Sequence, residues 1–173
     1  IFYFSCQIQA MKIFLSFYFL MIAIVQMGIF FGVYHYFRSQ ILVKTNRYWL
    51  GSLLFSSAAL FLFGAGILGV DDVSRPAFIF TIANSFFYLA SLLQTLFVIS
   101  LNKSISKRLT VFCISTYPIF LIFFEFLRRT STFQGRTLFM VSMVAIFYGI
   151  QLFAVSKSLR QKRSKQLTYL QIV

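Results

Sequence analysis

Acid is nearly missing from this sequence. Three of its 173 residues are Asp or Glu (Asp71, Asp72 and Glu125), against sixteen Lys and Arg. Charged residues of both signs make up 11% of the chain, less than half of the roughly 25% typical of a soluble domain. An ordinary water-facing globular surface is thereby excluded. Proline occurs twice, at Pro76 and Pro118, so little interrupts the chain's long segments. Cysteine also occurs twice; Cys6 and Cys113 are far apart, in apolar settings, without a CxxC or Cys/His spacing. A disulfide framework and a zinc site are both disfavoured, and buried thiols are the simplest reading. The single histidine, His35, lies in Tyr34-His35-Tyr36 with no second ligand nearby, so neither a metal nor another cofactor is expected. No P-loop, H-E-x-x-H or G-x-S-x-G is present, and no carboxylate pair suits hydrolysis. No enzymatic activity is expected of this chain.

What is present in quantity is apolar: 60% of residues, including twenty-five Phe. The apolar residues fall into five runs, at Ile13 to Phe37, Tyr48 to Val70, Ala77 to Leu101, Leu109 to Leu127 and Thr137 to Ser156. Each is near the ~20 residues needed to cross a bilayer core as a helix. None alternates with the period of two that a barrel strand requires. The expected fold is an all-α integral membrane bundle of about five transmembrane helices over residues 13–156. Residues 1–12 form a leader of open status, with Met11-Lys12 resembling a start. Residues 157–173 form a basic tail or connector, whose closing LTYLQIV turns apolar again as the first residues of a sixth span would.

The basic residues are unevenly placed. Arg38, Lys44, Arg47, Lys103, Lys107, Arg108, Lys157, Arg160, Lys162, Arg163 and Lys165 fall on one side of the spans; Lys12, Arg75, Arg128, Arg129 and Arg136 fall on the other, with all three acids. The positive-inside rule puts the first group in the cytoplasm, with the N-terminus outside and the C-terminus inside. The net charge of +13 is thus spent on flanking spans and meeting the lipid bilayer, and nucleic acid is not an expected partner. Asp71-Asp72 fits a helix N-cap and turn before Pro76.

Polar and small residues inside the spans are the candidate functional positions, because a polar group in hydrocarbon is costly unless it faces other helices. In the third run Asn84, Tyr88, Ser91 and Thr95 recur at helical spacing, with Gln94 off that stripe. They suit either the wall of a site for a small lipophilic ligand or hydrogen bonds that fix packing. Glu125 lies three and four residues before Arg128 and Arg129, which favours an ion pair over a proton site. Gly28-Ile-Phe-Phe-Gly32 permits close helix approach. Contact with a neighbouring span of the same chain is favoured over a homodimer. Ser52, Ser56, Ala59 and Gly66 share one face of the second run and suggest tight packing. Pro118, mid-span in the fourth run, removes one backbone bond and should kink that helix.

Tyr48-Trp49-Leu50-Gly51-Ser52-Leu53-Leu54, Ile82-Ala83-Asn84-Ser85 and Arg136-Thr137-Leu138 together resemble the N-terminal membrane region of bacterial diguanylate cyclases and related sensor histidine kinases. The resemblance covers about Tyr48 to Leu159. It implies a multi-pass input or anchoring module in a bacterial inner membrane, ahead of a cytoplasmic GGDEF or kinase domain. Trp49, Asn84 and Arg136 are the positions it carries over. Neither output motif occurs in this sequence. On this reading Asn84, Tyr88, Ser91 and Gln94 would contact the signal, with Glu125 or Arg136 near the outer mouth. The alternatives are an accessory subunit of a membrane complex or a small transporter. The equal halves and mid-membrane charges expected of many transporters are absent.

Overall fold

The computed structural model describes residues 2–39, 47–69, 77–101 and 104–172. They form five helices: α1 (Phe2–Ser39), α2 (Arg47–Gly69), α3 (Phe78–Ser100), α4 (Lys107–Thr130) and α5 (Phe133–Ile172). All five contain a stretch long and apolar enough to cross a membrane. The 23 residues of α2 and of α3 reach about 35 Å, enough for a hydrocarbon core of about 30 Å. The protein is therefore an all-helical, multi-pass membrane protein. Helix α1 passes through Met11 without a break, and α5 continues through the basic tail.

Helix α3 is the hub. It packs on α2, α4 and α5, whereas α1 approaches α2 alone and α4 barely approaches α5. Half of the membrane window of α3 is buried, against 11% for α1 and α4 and 6% for α5. Lipid tails are as apolar as leucine, so these contacts are held by close packing and interhelical hydrogen bonds rather than by burial from water.

Helix α2 is shaped for two neighbours. Toward α3 it presents Gly51, where a Cβ would lie 3.0 Å from Leu93, and Gly66, where one would lie 3.0 Å from Ile79. Ser52, Ala59 and Gly66 are buried along this side, while Ser56 is half-buried. Toward α1 it presents Ser57 and Gly64, seven residues apart. The Ser57 hydroxyl donates to the Ala23 carbonyl at 2.9 Å, and the Ser16 hydroxyl donates to the Gly64 carbonyl at 2.6 Å. Seven residues forward on α1 match seven backward on α2, which is an antiparallel register.

Among the described residues the expected intrachain contact of Gly28 and Gly32 is not formed: neither has a neighbour within 4 Å of where a Cβ would stand. The α2-facing stripe of α1 is Ser16, Leu20 and Ala23. At about 100° per residue, Gly28 and Gly32 lie about 120–160° around the helix from it.

The N-cap of α3 is Ala77, with no side-chain cap bond; Asp71 and Asp72, read from the sequence as a cap and turn, lie outside the described residues. By contrast, the Ser106 hydroxyl caps α4 by accepting from the Leu109 amide at 3.2 Å. Pro118 sits within α4, which is helical on both sides of it.

Candidate functional site

The polar contacts of the bundle converge on the side of α3 that faces α4 and α5. Thr81 donates its hydroxyl to Glu125 Oε2 at 2.9 Å. Ser85 and Tyr117 place their hydroxyls 3.3 Å apart, and Tyr88 and Thr116 place theirs 2.8 Å apart. Farther along, Gln151 of α5 donates from Nε2 to Thr95 Oγ1 at 3.0 Å, in a buried setting. A fifth bridge joins Tyr48 Oη of α2 to Thr110 Oγ1 of α4 at 2.8 Å. The stripe Thr81, Ser85, Tyr88 and Thr95 thus stitches one face of α3 to its two neighbours.

That face is rotated by about 50° from the one that Asn84, Tyr88, Ser91 and Thr95 would define. Tyr88 and Thr95 belong to both. Asn84 and Ser91 are half-buried at its edge, and each donates to a carbonyl of its own helix, Phe80 at 2.7 Å and Phe87 at 2.9 Å. Gln94 is exposed. The structure therefore brings together Thr81, Ser85, Tyr88, Thr95 and Glu125, and leaves Asn84, Ser91 and Gln94 off the line. Thr81, Thr116 and Gln151 escape notice in the sequence, since single Ser, Thr or Gln residues in a span show no partner. For Thr81 alone there is a signal in spacing: Thr81, Ser85, Tyr88 and Thr95 follow steps of four, three and seven on α3.

Rings fill the space that α4 and α5 leave between them. Tyr88 stacks on Phe120 with centroids 4.1 Å apart and planes 8° from parallel. Phe147 of α5 meets the Tyr88 ring edge-on at 5.5 Å, and Phe139 stacks on Phe120 at 6.1 Å. This Phe147–Tyr88–Phe120–Phe139 chain ties the three helices together through a residue that also carries one of the polar bridges. The free thiol of Cys113 packs against the same cluster.

At the far end of α4 the ion pair expected from spacing is present. Arg128 holds Glu125 with two bonds, Nε to Oε2 at 2.7 Å and Nη2 to Oε1 at 2.6 Å; Arg129 adds Nε to Oε1 at 2.9 Å. Arg136 reaches back from α5, donating from Nη1 to the carbonyls of Arg128 at 3.1 Å and Ser131 at 3.3 Å. It thereby satisfies carbonyls that the end of a helix leaves open. Glu125 is thus spoken for by two arginines and a threonine, which fits a clasp between α3 and α4. Glu125→Ala should lower bundle stability by about 1.5–3 kcal/mol, the usual worth of hydrogen bonds to charge. Arg129 is 73% exposed along its side chain, so Arg129→Ala should cost under about 0.5 kcal/mol. Detergent-micelle unfolding of the two variants checks this, and equal losses would contradict the assignment.

Among the described residues, no group of three or more His, Cys, Asp or Glu could hold a metal. No family model, curated protein or solved structure matches the chain.

Proposed function

We propose that this protein is a membrane input or anchoring module, in which repacking of the bundle around α3 is passed along α5 to an output domain beyond it. The observation that carries the reading is the length of α5. Its 40 residues extend about 60 Å, twice the hydrocarbon core, so one unbroken helix joins the bundle to the region past the basic tail. A continuous helix transmits rotation and translation, which a flexible tail would not. Tyr88 with Phe147, and Thr95 with Gln151, link α5 to the hub. A small lipophilic signal would act by favouring one packing of this junction over another. The resemblance of Tyr48 to Leu159 to cyclase and kinase membrane regions supports the same reading. So does the split of basic residues, which favours an outer N-terminus and a cytoplasmic C-terminus in a bacterial inner membrane.

The test is a phase experiment. A dimerisation-dependent cytoplasmic reporter is fused after Val173, and one to four alanines are inserted after Lys165. Each insertion turns the output by about 100° and advances it by about 1.5 Å. Reporter activity should rise and fall with a period near 3.6 residues. Output that ignores the insertions would sink the relay.

One observation favours a second reading, an accessory subunit of a membrane complex. Helix α1 approaches only α2, and Phe14, Phe17, Ile24 and Phe31 are more than half exposed along it. A partner that remains bound through mild-detergent purification and is lost on substitution of these residues would support that alternative.

A further inference from the structure

The two ends of the bundle differ in charge balance. At one end Arg47 opens α2, and Lys107 and Arg108 open α4; all three are exposed. The Tyr48–Thr110 bond holds those two helix starts together. Glu125, the one carboxylate among the described residues, stands at the opposite end of α4. Its distance from Lys107 and Arg108 is about 26 Å by helix rise, and it is already bound to Arg128 and Arg129. Asp71 and Asp72, outside the described residues, follow the far end of α2 in sequence. Among the described residues no carboxylate is placed to answer Lys107 and Arg108, which leaves their charge open to a bound anionic group.

The ground beside them is apolar. Lys107, Arg108, Val111, Phe112 and Ser115 line an open groove on α4. Val111 is 67% exposed and Phe112 is 68% exposed. The Ser115 hydroxyl is turned to the Phe112 carbonyl at 2.7 Å, so it adds little polarity to the floor. A soluble anion would answer the cations and leave Val111 and Phe112 bare. A lipid of no net charge would cover the floor and leave the cations in excess. An amphiphile with a net negative head and an acyl tail satisfies both. We propose that this groove is a binding site for an anionic phospholipid, with its phosphate between Lys107 and Arg108 and an acyl chain along Val111 and Phe112. The site stands independently of any relay through α5.

The test uses the full chain in detergent, titrated with phosphatidylglycerol or phosphatidylcholine and read by native mass spectrometry. Two basic side chains at an anionic surface should favour phosphatidylglycerol on the order of 30-fold. K107Q/R108Q should bring that ratio close to one while circular dichroism shows unchanged helix content. K157Q/R160Q, on the tail, should leave the ratio as it was. Equal retention of the two lipids by the unaltered chain would overturn the proposal. So would a preference that survives K107Q/R108Q, because the selecting charges would then lie elsewhere. Displacement of phosphatidylglycerol by millimolar inorganic phosphate would also overturn it, marking a free-oxyanion site instead.

Discussion

Replacing Tyr88 by alanine should destabilise the bundle by about 2–4 kcal/mol. In a water-soluble core, truncating a buried aromatic costs about 3–5 kcal/mol. Here lipid is as apolar as the core, so part of the transfer term drops out and the lost packing remains. Tyr88 is 7% exposed, and its ring lies between Phe120 and Phe147. Its removal leaves a void where three helices meet. Tyr88→Phe keeps the ring and loses only the bond to Thr116, for about 0.6–1.5 kcal/mol. Unfolding of the three proteins in mixed micelles would measure both steps. An alanine variant within about 0.5 kcal/mol of the phenylalanine variant would show that the rings do not hold α4 and α5 to α3. The pair also separates packing from signal contact. A phenylalanine variant that folds normally but changes the output of a fused reporter would give the hydroxyl a role beyond stability.

Gly64→Leu should dislodge α1. Even a Cβ at this position would lie 2.8 Å from Leu20 Cγ and 3.1 Å from the Ser16 carbonyl oxygen. Leu20 Cγ is a branch point rather than a flexible tip, and the carbonyl moves only if α1 moves. The helices must separate, and the Ser16–Gly64 and Ser57–Ala23 bonds weaken together. The expected loss is about 2–3 kcal/mol, the upper range for overpacking. Because α1 packs on α2 alone, the loss should appear as detachment of α1 rather than unfolding of the whole bundle. Spin labels at Ile13 and Leu68 would report it as a broadened distance distribution. Gly28→Leu, on a face with no described neighbour, should change stability by less than about 0.5 kcal/mol. A large loss there would place a second copy or another protein against that face.

The five spans were legible in the sequence because long apolar runs have one outcome in lipid: backbone groups must be satisfied within each segment. Which face of each helix meets which neighbour was much less legible. At 100° per residue a small change in the chosen stripe swaps its members, and Ser, Thr and Asn can bond to a carbonyl of their own helix as readily as across a gap. Asn84 and Ser91 do the former; Thr81 makes a cross-helix bond to Glu125. Spacing alone does not separate these cases. The Gly28/Gly32 pattern marks a place where backbones can approach, without naming the partner. Meanwhile the seam that forms uses Ser16, Ala23, Ser57 and Gly64, a looser pattern spread over two helices. The Glu125 ion pair was legible because Arg128 and Arg129 lie within four residues of it, where helix geometry leaves little freedom; the Thr81 bond that makes it a clasp between helices was not.

The separate α1–α2 seam also bears on biosynthesis. Membrane helices enter the bilayer in chain order, and the contacts of α1 are with the helix that follows it directly. That hairpin can therefore complete its hydrogen bonds before α3 has left the insertion machinery. Helix α4 brings the Glu125 carboxylate into the membrane later, when the Thr81 hydroxyl is already in place and Arg128 and Arg129 follow within one turn. Assembly can thus proceed from the N-terminus without leaving the half-buried Glu125 carboxylate waiting for its partners.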